Sequence, residues 1–370
     1  MKTKFTMHTG LYTIGGVICS VQYGKDRVIF EMGSAYSPDT DVYDGTVLPR
    51  SKAWVRDAIR TEKIPPIHGL YRKEDLNGFM DLIPAEESDL NTAVFITHIH
   101  LDHMAGVGMI SPQIPVYMHK NGVIIERALE TTGDGVPTVD REYRYFDEGE
   151  PISVGEITLL PIMTSRRSYK QFAFYITTPD GSIHWTGDFS MHGEDVDLAI
   201  KQMEFLKKQN VDVLLCDSTS FMDEVLLQMF DSTDPAKILP SREIPPGMLD
   251  SKDVNENLFS ILEEQKGLCV FNYYQREMDE AMKFIEWAKK VNRICVFEPD
   301  CAYIVYKFYQ IKPNIYIPDS DRYPEDPDQQ PEWFKELLAN STVVTLEEIN
   351  GNPAGYLLQN SYRHILELFD

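Results

Sequence analysis

The segment Thr97-His98-Ile99-His100-Leu101-Asp102-His103 constrains this chain more than any other. Of the nine histidines in 370 residues, three fall between positions 98 and 103, with an aspartate among them. The cluster directly follows Ala93-Val94-Phe95-Ile96, a short unbroken apolar run of the kind that forms a buried strand. A turn at the end of such a strand can aim His98 and His100 at one cation, and Asp102 and His103 at a second nearby. Imidazole and carboxylate donors suit zinc, one or two ions, or a similar first-row metal such as manganese. The competing reading is a polar surface loop that happens to hold three histidines. The density of donors favours the metal.

A second element strengthens that reading. In Ile183-His184-Trp185-Thr186-Gly187-Asp188-Phe189 a strand ends in Gly-Asp, where glycine permits a sharp turn and the carboxylate can bridge two ions. Two cations with a water between them fit hydrolysis of a phosphodiester or a similar ester, and Asp102 is the candidate to accept the proton of the attacking water. Other histidines have weaker claims. His184 lies four residues before Asp188 on the same strand face, about 13 Å away by strand rise, too far to share its ion. His192 is read as supporting rather than ligating, and His119 as facing solvent after a strand. Arg166, Arg167 and Lys170 form the densest basic patch near the presumed site, either a phosphate-contacting loop or a solvated one.

Strands are expected over residues 11–21 and 28–31, then 93–96, 115–118, 157–162, 172–177, 183–186 and 211–216, the last read as buried. Pro179-Asp180-Gly181 makes a hairpin turn. A short helix suits 104–110, and a longer one 194–209, where Val196, Ile200, Met203 and Leu206 share a face. Residues 38–92 read as a long polar connection with helix-like patches. Beyond residue 218 the pattern changes to helix 253–265, strand 268–271, helix 276–290 and strand 293–297, a βαβ alternation that implies a second lobe with a parallel sheet. The expected domains are 1–218 and 219–370.

The formal charge of −23 argues against loose coating of nucleic acid, because such a surface repels a polyanion on average. A local basic groove or bound cations can still dominate at one site. Five cysteines at 19, 216, 269, 295 and 301, with no C-x-x-C pair, suggest neither a disulfide framework nor a thiolate metal site, and read as small core hydrophobes. No apolar run reaches membrane-spanning length, and residues 1–6 lead into no apolar signal core, so a cytoplasmic location without membrane association is expected. Homo-oligomerisation is left open.

The T-H-x-H-x-D-H cluster, Thr186-Gly187-Asp188-Phe189 and the Gly-Gly and strand pattern at 11–31 together resemble the metallo-β-lactamase superfamily. Leu214-Leu215-Cys216-Asp217-Ser218-Thr219-Ser220 resembles the D-S-T segment of the β-CASP nucleases, the ribonuclease J group. Phe271-Asn272-Tyr273-Tyr274-Gln275-Arg276 resembles that group's Asn and Arg stretch. The resemblance implies an α/β fold: an αββα sandwich of two mixed sheets with a β-CASP-like α/β cap lobe. It implies that His98 and His100 hold a first metal, that Asp102 and His103 hold a second, and that Asp188 bridges. It places Asp217, Asn272 and Arg276 at the substrate, with Arg276 on a phosphate, and it makes RNA the substrate.

The chain departs from the family pattern in three places. Glu31 stands where the first motif has Asp. Met163-Thr164-Ser165-Arg166 stands where a third-motif His completes the first metal site, and no histidine lies between 119 and 184. Late in the chain only His364 offers an imidazole, in a stretch read as a surface helix ending, so the C-terminal lobe is expected to be shortened. These observations leave a ribonuclease J-like phosphodiesterase as the leading reading. One alternative is a binding or regulatory relative with weak or no catalysis. The other is a metallohydrolase of small esters or phosphodiesters.

Overall fold

The structure, a computed structural model, describes residues 2–35, 50–137, 140–166, 170–190, 195–217, 249 and 251–369. Contacts divide the chain into two units. The first takes Met1–Val123, Val136–Arg166 and Lys170–Glu243; the second takes Ile124–Gly135, Arg167–Tyr169 and Ile244–Asp370. The expected boundary at 218 lies outside the described residues.

Unit 1 is built on two sheets. Lys4–Thr9 (β1), Ile18–Tyr23 (β2), Asp26–Phe30 (β3), Asn91–Phe95 (β4), Val116–His119 (β5) and Arg144–Phe146 (β6) lie in chain order across the first, antiparallel up to β3 and parallel from there. The second holds Ile152–Val154 (β7), Ile157–Ser165 (β8), Gln171–Thr178 (β9), Gly181–Trp185 (β10) and Val213–Leu215 (β11), again in order, with only the β10–β11 pair parallel. The two sheets share one apolar core. Val21, Phe30 and Phe95 from the first meet Leu159, Phe172, Phe174 and Trp185 from the second, and the Phe30 and Phe174 rings lie 5.5 Å apart. This face-to-face packing is the mixed α/β sandwich the motifs imply.

Short helices Trp54–Arg60 (α1), Lys73–Leu76 (α2) and Leu101–Met104 (α3) decorate the connections. Lys120–Thr132 (α4) begins in unit 1 and ends in unit 2, and Val196–Gln209 (α5) lies against β8. The helix expected at 104–110 is instead α3 followed by a 3-10 turn at Val107–Met109, because the backbone after His100 is tied to the strand end at Met32 rather than free to continue winding.

Several expectations are corrected here. β1 goes unread in the sequence, since it is half-exposed with only Phe5 and Met7 turned to the core. The strand expected at 211–216 exists but is not buried: it is the edge of its sheet, and Leu214 is 58% exposed. Cys216 is accordingly exposed and Cys269 half-buried, so only Cys19, Cys295 and Cys301 are core residues.

Unit 2 alternates helix and strand as the βαβ pattern predicts. Its order is Ser251–Glu264 (α6), Cys269–Phe271 (β12), Met278–Lys290 (α7), Ile294–Phe297 (β13), Pro299–Tyr309 (α8), Asn314–Ile315 (β14), Glu332–Ala339 (α9), Thr342–Val343 (β15), Leu346–Gly351 (α10) and Tyr356–Gln359 (β16). The sheet runs β12-β16-β13-β14-β15, all parallel. β16 inserts between β12 and β13, so residues 357–359, the start of the stretch around His364 read as a helix ending, lie in a central strand; a short apolar run carries too little periodicity to separate the two. No helix among the described residues is long and apolar enough to cross a membrane.

Candidate metal centre

Three strand ends of unit 1 carry the cluster. β3 ends into Glu31, β4 into Thr97 and His98, and β10 into Gly187 and Asp188. The turn after β4 is stitched to the end of β3 by its backbone: Met32 N–H donates to the His103 carbonyl at 2.8 Å, Gly106 N–H to that of Met32 at 2.7 Å, and Gly16 N–H to that of Asp102 at 3.0 Å. Gly33 is required by this contact, since a Cβ there would lie 1.5 Å from the Asp102 carbonyl oxygen. Gly187 adopts φ +57°, which turns the chain so that Asp188 faces the histidines.

The side chains named from the sequence come together. His103 Nε2 lies 3.0 Å from Asp188 Oδ1 and 3.3 Å from Asp102 Oδ2, and His98 Nε2 lies 3.5 Å from Asp188 Oδ2. The His98 ring sits 4.0 Å from that of His103 and 4.5 Å from that of His100. Donor atoms of His98, His103 and Asp188 all fall within 4.8 Å of one another. Both histidines are buried; His98 Nε2 lacks a hydrogen-bond partner, and His103 Nε2 meets the carboxylates of Asp102 and Asp188. A buried imidazole nitrogen left without a partner, beside a second imidazole and two carboxylates, is a natural arrangement around a divalent cation.

The outward nitrogens are held from behind. His98 Nδ1 lies 3.0 Å from the Thr97 hydroxyl, and His103 Nδ1 lies 3.4 Å from Glu31 Oε1. Glu31 also accepts from Thr97 N–H at 3.3 Å. The Thr97 hydroxyl orients the His98 ring and the Glu31 carboxylate faces the His103 ring from behind, leaving Nε2 for a metal. The sequence motif alone gave Thr97 no role. Glu31 was marked only as a departure, although its place right after an apolar strand run was the available signal.

Electrostatics follow from burial and mutual charge. Burial holds the His98 imidazole well below its ordinary pKa, helped by the neighbouring His103. For His103 burial acts in the same direction, but the surrounding carboxylates, Glu31 first and then Asp188 and Asp102, outweigh it and raise the pKa well above normal. Burial raises the Glu31 carboxyl despite His103. For Asp188 burial is outweighed by His98 and His103, which hold the carboxylate ionised, and Asp102 is lowered likewise by His103 against its own partial burial.

The remaining sequence candidates fall elsewhere. Asp217 braces the Asp188 turn: its N–H donates to Thr186 Oγ1 at 3.0 Å, and its Oδ2 accepts from Phe189 N–H at 3.4 Å. Asn272 and Arg276 belong to unit 2. Asn272 is exposed and accepts from Tyr273 N–H. Arg276 is 2% exposed, and its guanidinium is bonded to the buried carboxylate of Glu126 on α4, so it is not presented to solvent as a phosphate contact would be.

His119, expected at the surface, is buried against Phe172 and Phe146. His364, also expected exposed, is buried with Nδ1 2.8 Å from Glu298, because β16 carries the chain into the interior of unit 2 just before it. His184 is fully buried against Gln202, away from any ligand role. The basic patch is partly neutralised, since Arg166 is paired with Asp195 and Asp197, and Lys170 lies 3.6 Å from Asp147. Arg167, His192 and Ser218-Thr219-Ser220 lie outside the described residues. Thr164, at the third-motif position, is buried near the end of β8.

Residues 79–237 match the family model of the β-lactamase superfamily domain. The chain is 21% identical over 305 residues to a ribonuclease J of Pyrococcus abyssi, covering 78% of this chain and 58% of that protein, so it spans less than two thirds of the relative's length. Among solved structures, a protein of unknown function from Enterococcus faecalis shares the fold at a TM-score of 0.71 and 23% identity, over 98% of this chain and 79% of the other. A subclass B3 metallo-β-lactamase of Bradyrhizobium japonicum aligns with 66% of this chain and 88% of its own, at 15% identity and a TM-score of 0.35. The matched span contains both the histidine cluster and Asp188, so the likeness to the β-lactamase superfamily domain covers the candidate metal centre.

Proposed function

We propose that this protein is a metal-dependent phosphodiesterase acting on RNA, with zinc or manganese held by His98, His100, Asp102, His103 and Asp188. One observation carries the reading: the buried Nε2 atoms of His98 and His103 converge on the carboxylate of Asp188 at 3.0–3.5 Å, with donor atoms of all three within 4.8 Å of one another. Divalent ions in such a site supply electrophilic assistance to a phosphoryl oxygen and acidify nearby water. Asp102 is half-buried and held ionised, so it is in the state to accept a proton from the attacking water. Glu31 and Thr97 keep the two imidazoles aimed inward, and the stitched backbone of residues 31–34 and 101–106 holds the carboxylates in place. The ribonuclease J similarity supports RNA as the substrate class.

The test is cleavage of single-stranded RNA by the purified chain reloaded with zinc or manganese, beside the His103→Ala and Asp188→Ala variants. The expected outcome is metal-dependent cleavage lost in both variants. Intact RNA and DNA under all metal conditions would reject the proposal. A binding or regulatory relative is the second reading, favoured by Thr164 and Ser165, which put no imidazole at the end of β8. Two ions per chain by elemental analysis would count against it.

A further inference from the structure

Unit 2 contains a cavity that the hydrolytic reading does not use. It lies where the C-terminal half of α7, the start of β13 and the segment before β14 meet, an open concavity of about 450 Å³. That size is within the range of small-molecule sites. Ile285, Ile294 and Ile311 give it aliphatic walls, and Ile294 remains 44% exposed although it begins a strand. Scattered exposed aliphatics need no explanation, but several converging on one concave surface do.

The charge of this cavity is opposite to that of the chain. Lys289, Arg293 and Lys312 line it, and no Asp or Glu does among the described residues, in a sequence with 58 acidic and 35 basic side chains. Arg293 is committed to main-chain carbonyls, donating to Gly267 at 2.8 Å and Tyr356 at 3.0 Å and also to Gln265, which fixes the wall it stands in. Lys289 and Lys312 are exposed. Neither has a carboxylate partner among the described residues, whereas nearby Lys283 pairs with Glu280 and Lys307 with Glu336.

We propose that this cavity binds a small amphiphilic organic anion, a carboxylate, sulfonate or phosphate monoester on an aliphatic or aromatic body. Lys289 and Lys312 meet the anionic head, and the isoleucines take the body. An RNA strand is the disfavoured occupant: backbone binding needs a cationic track with stacking platforms, and here the cations flank an aliphatic concavity.

The experiment is a fluorescence titration of the full chain with anilinonaphthalene sulfonate, an apolar anionic dye, followed by competition. The expected result is saturable binding of one dye per chain, displaced by decanoate and not by decylamine. Lys289→Ala/Lys312→Ala weakens binding roughly tenfold, the scale of about one charge-assisted contact, and Ile294→Asp abolishes it. Both lysines are exposed, so the double variant retains its circular dichroism and its metal content, which keeps this test separate from that of the metal centre. Absence of saturable binding, affinity unchanged in the variants, equal displacement by decylamine, or displacement by oligouridylate in place of decanoate would each overturn the proposal.

Discussion

Glu31 shows how a single residue position serves the centre. It is 0% exposed and sits at φ +66°, a left-handed conformation that costs a non-glycine residue on the order of 1 kcal/mol or more. The backbone accepts it because Glu31 N–H bonds to Phe95 and Met32 N–H to His103, which aims the carboxylate at His103 Nδ1. Glu31→Gln keeps the shape and removes the charge, so metal affinity is expected to fall about 10- to 100-fold, the usual penalty for losing a carboxylate behind a ligating histidine. Competition against a chromophoric chelator measures this, and unchanged affinity would remove Glu31 from the role. Gly33→Ala is expected to cost more than about 4 kcal/mol or to dislodge the Asp102 turn, because the added methyl lands on a carbonyl oxygen. Urea denaturation together with metal titration separates those two outcomes, and a variant normal in both would contradict the stitched-backbone account.

At the level of elements, buried polar pairs hold strands and helices in register. His184 on β10 is buried beside Gln202 on α5, and burial lowers its pKa from 6.5 to about 4. The unfolded chain therefore takes up a proton below about pH 6.5 that the folded chain refuses. Stability from this group is fully present above that pH and is lost as pH falls toward 4, by at most about 3 kcal/mol. His184→Leu is expected to reduce the pH dependence of thermal stability over that window, leaving a comparable slope from His8, which burial also lowers to about 4. A slope equal to wild type would refute it. Arg276 on the approach to α7 and Glu126 on α4 form a buried pair within unit 2. Removing either alone is expected to cost about 3–5 kcal/mol, and Arg276→Met with Glu126→Leu to recover most of it. If Arg276→Met instead left stability unchanged and weakened RNA binding, the phosphate reading of Arg276 would return.

Legibility in the sequence followed the strength of the local signal. β8, β9, β10, α5, α7 and β13 were readable because their periods are long or their turns explicit, and the His98–His103 and Asp188 cluster because its ligand types are rare and crowded. β1, β14, β15 and β16 are short or half-exposed, and α8 lacks the polar face that marks an amphipathic helix, its first seven residues being buried. His119 and His364 were misplaced because burial of an imidazole depends on partners remote in sequence, Phe172 for one and Glu298 for the other.

For the molecule as a whole, two apolar cores serve two units, one between the sheets of unit 1 and one around Val296, Tyr316 and Leu358 in unit 2. The chain's charge of −23 sets the terms on which a polyanion can approach. With Arg166 already paired to Asp195 and Asp197, attraction has to come from bound cations and local contacts more than from the general field. Raising ionic strength from low to physiological is thus expected to leave kcat/KM on single-stranded RNA level or to increase it, by screening repulsion; a steep fall would show that a cationic track guides the strand and would contradict this. The convergence of His98, His100, Asp102, His103 and Asp188 is best tested by X-ray absorption at the zinc edge of the zinc-loaded chain. The account predicts a nitrogen and oxygen shell with outer-shell scattering from at least two imidazoles, and its loss in His103→Ala. Sulfur scattering, or no zinc retained after gel filtration, would contradict it.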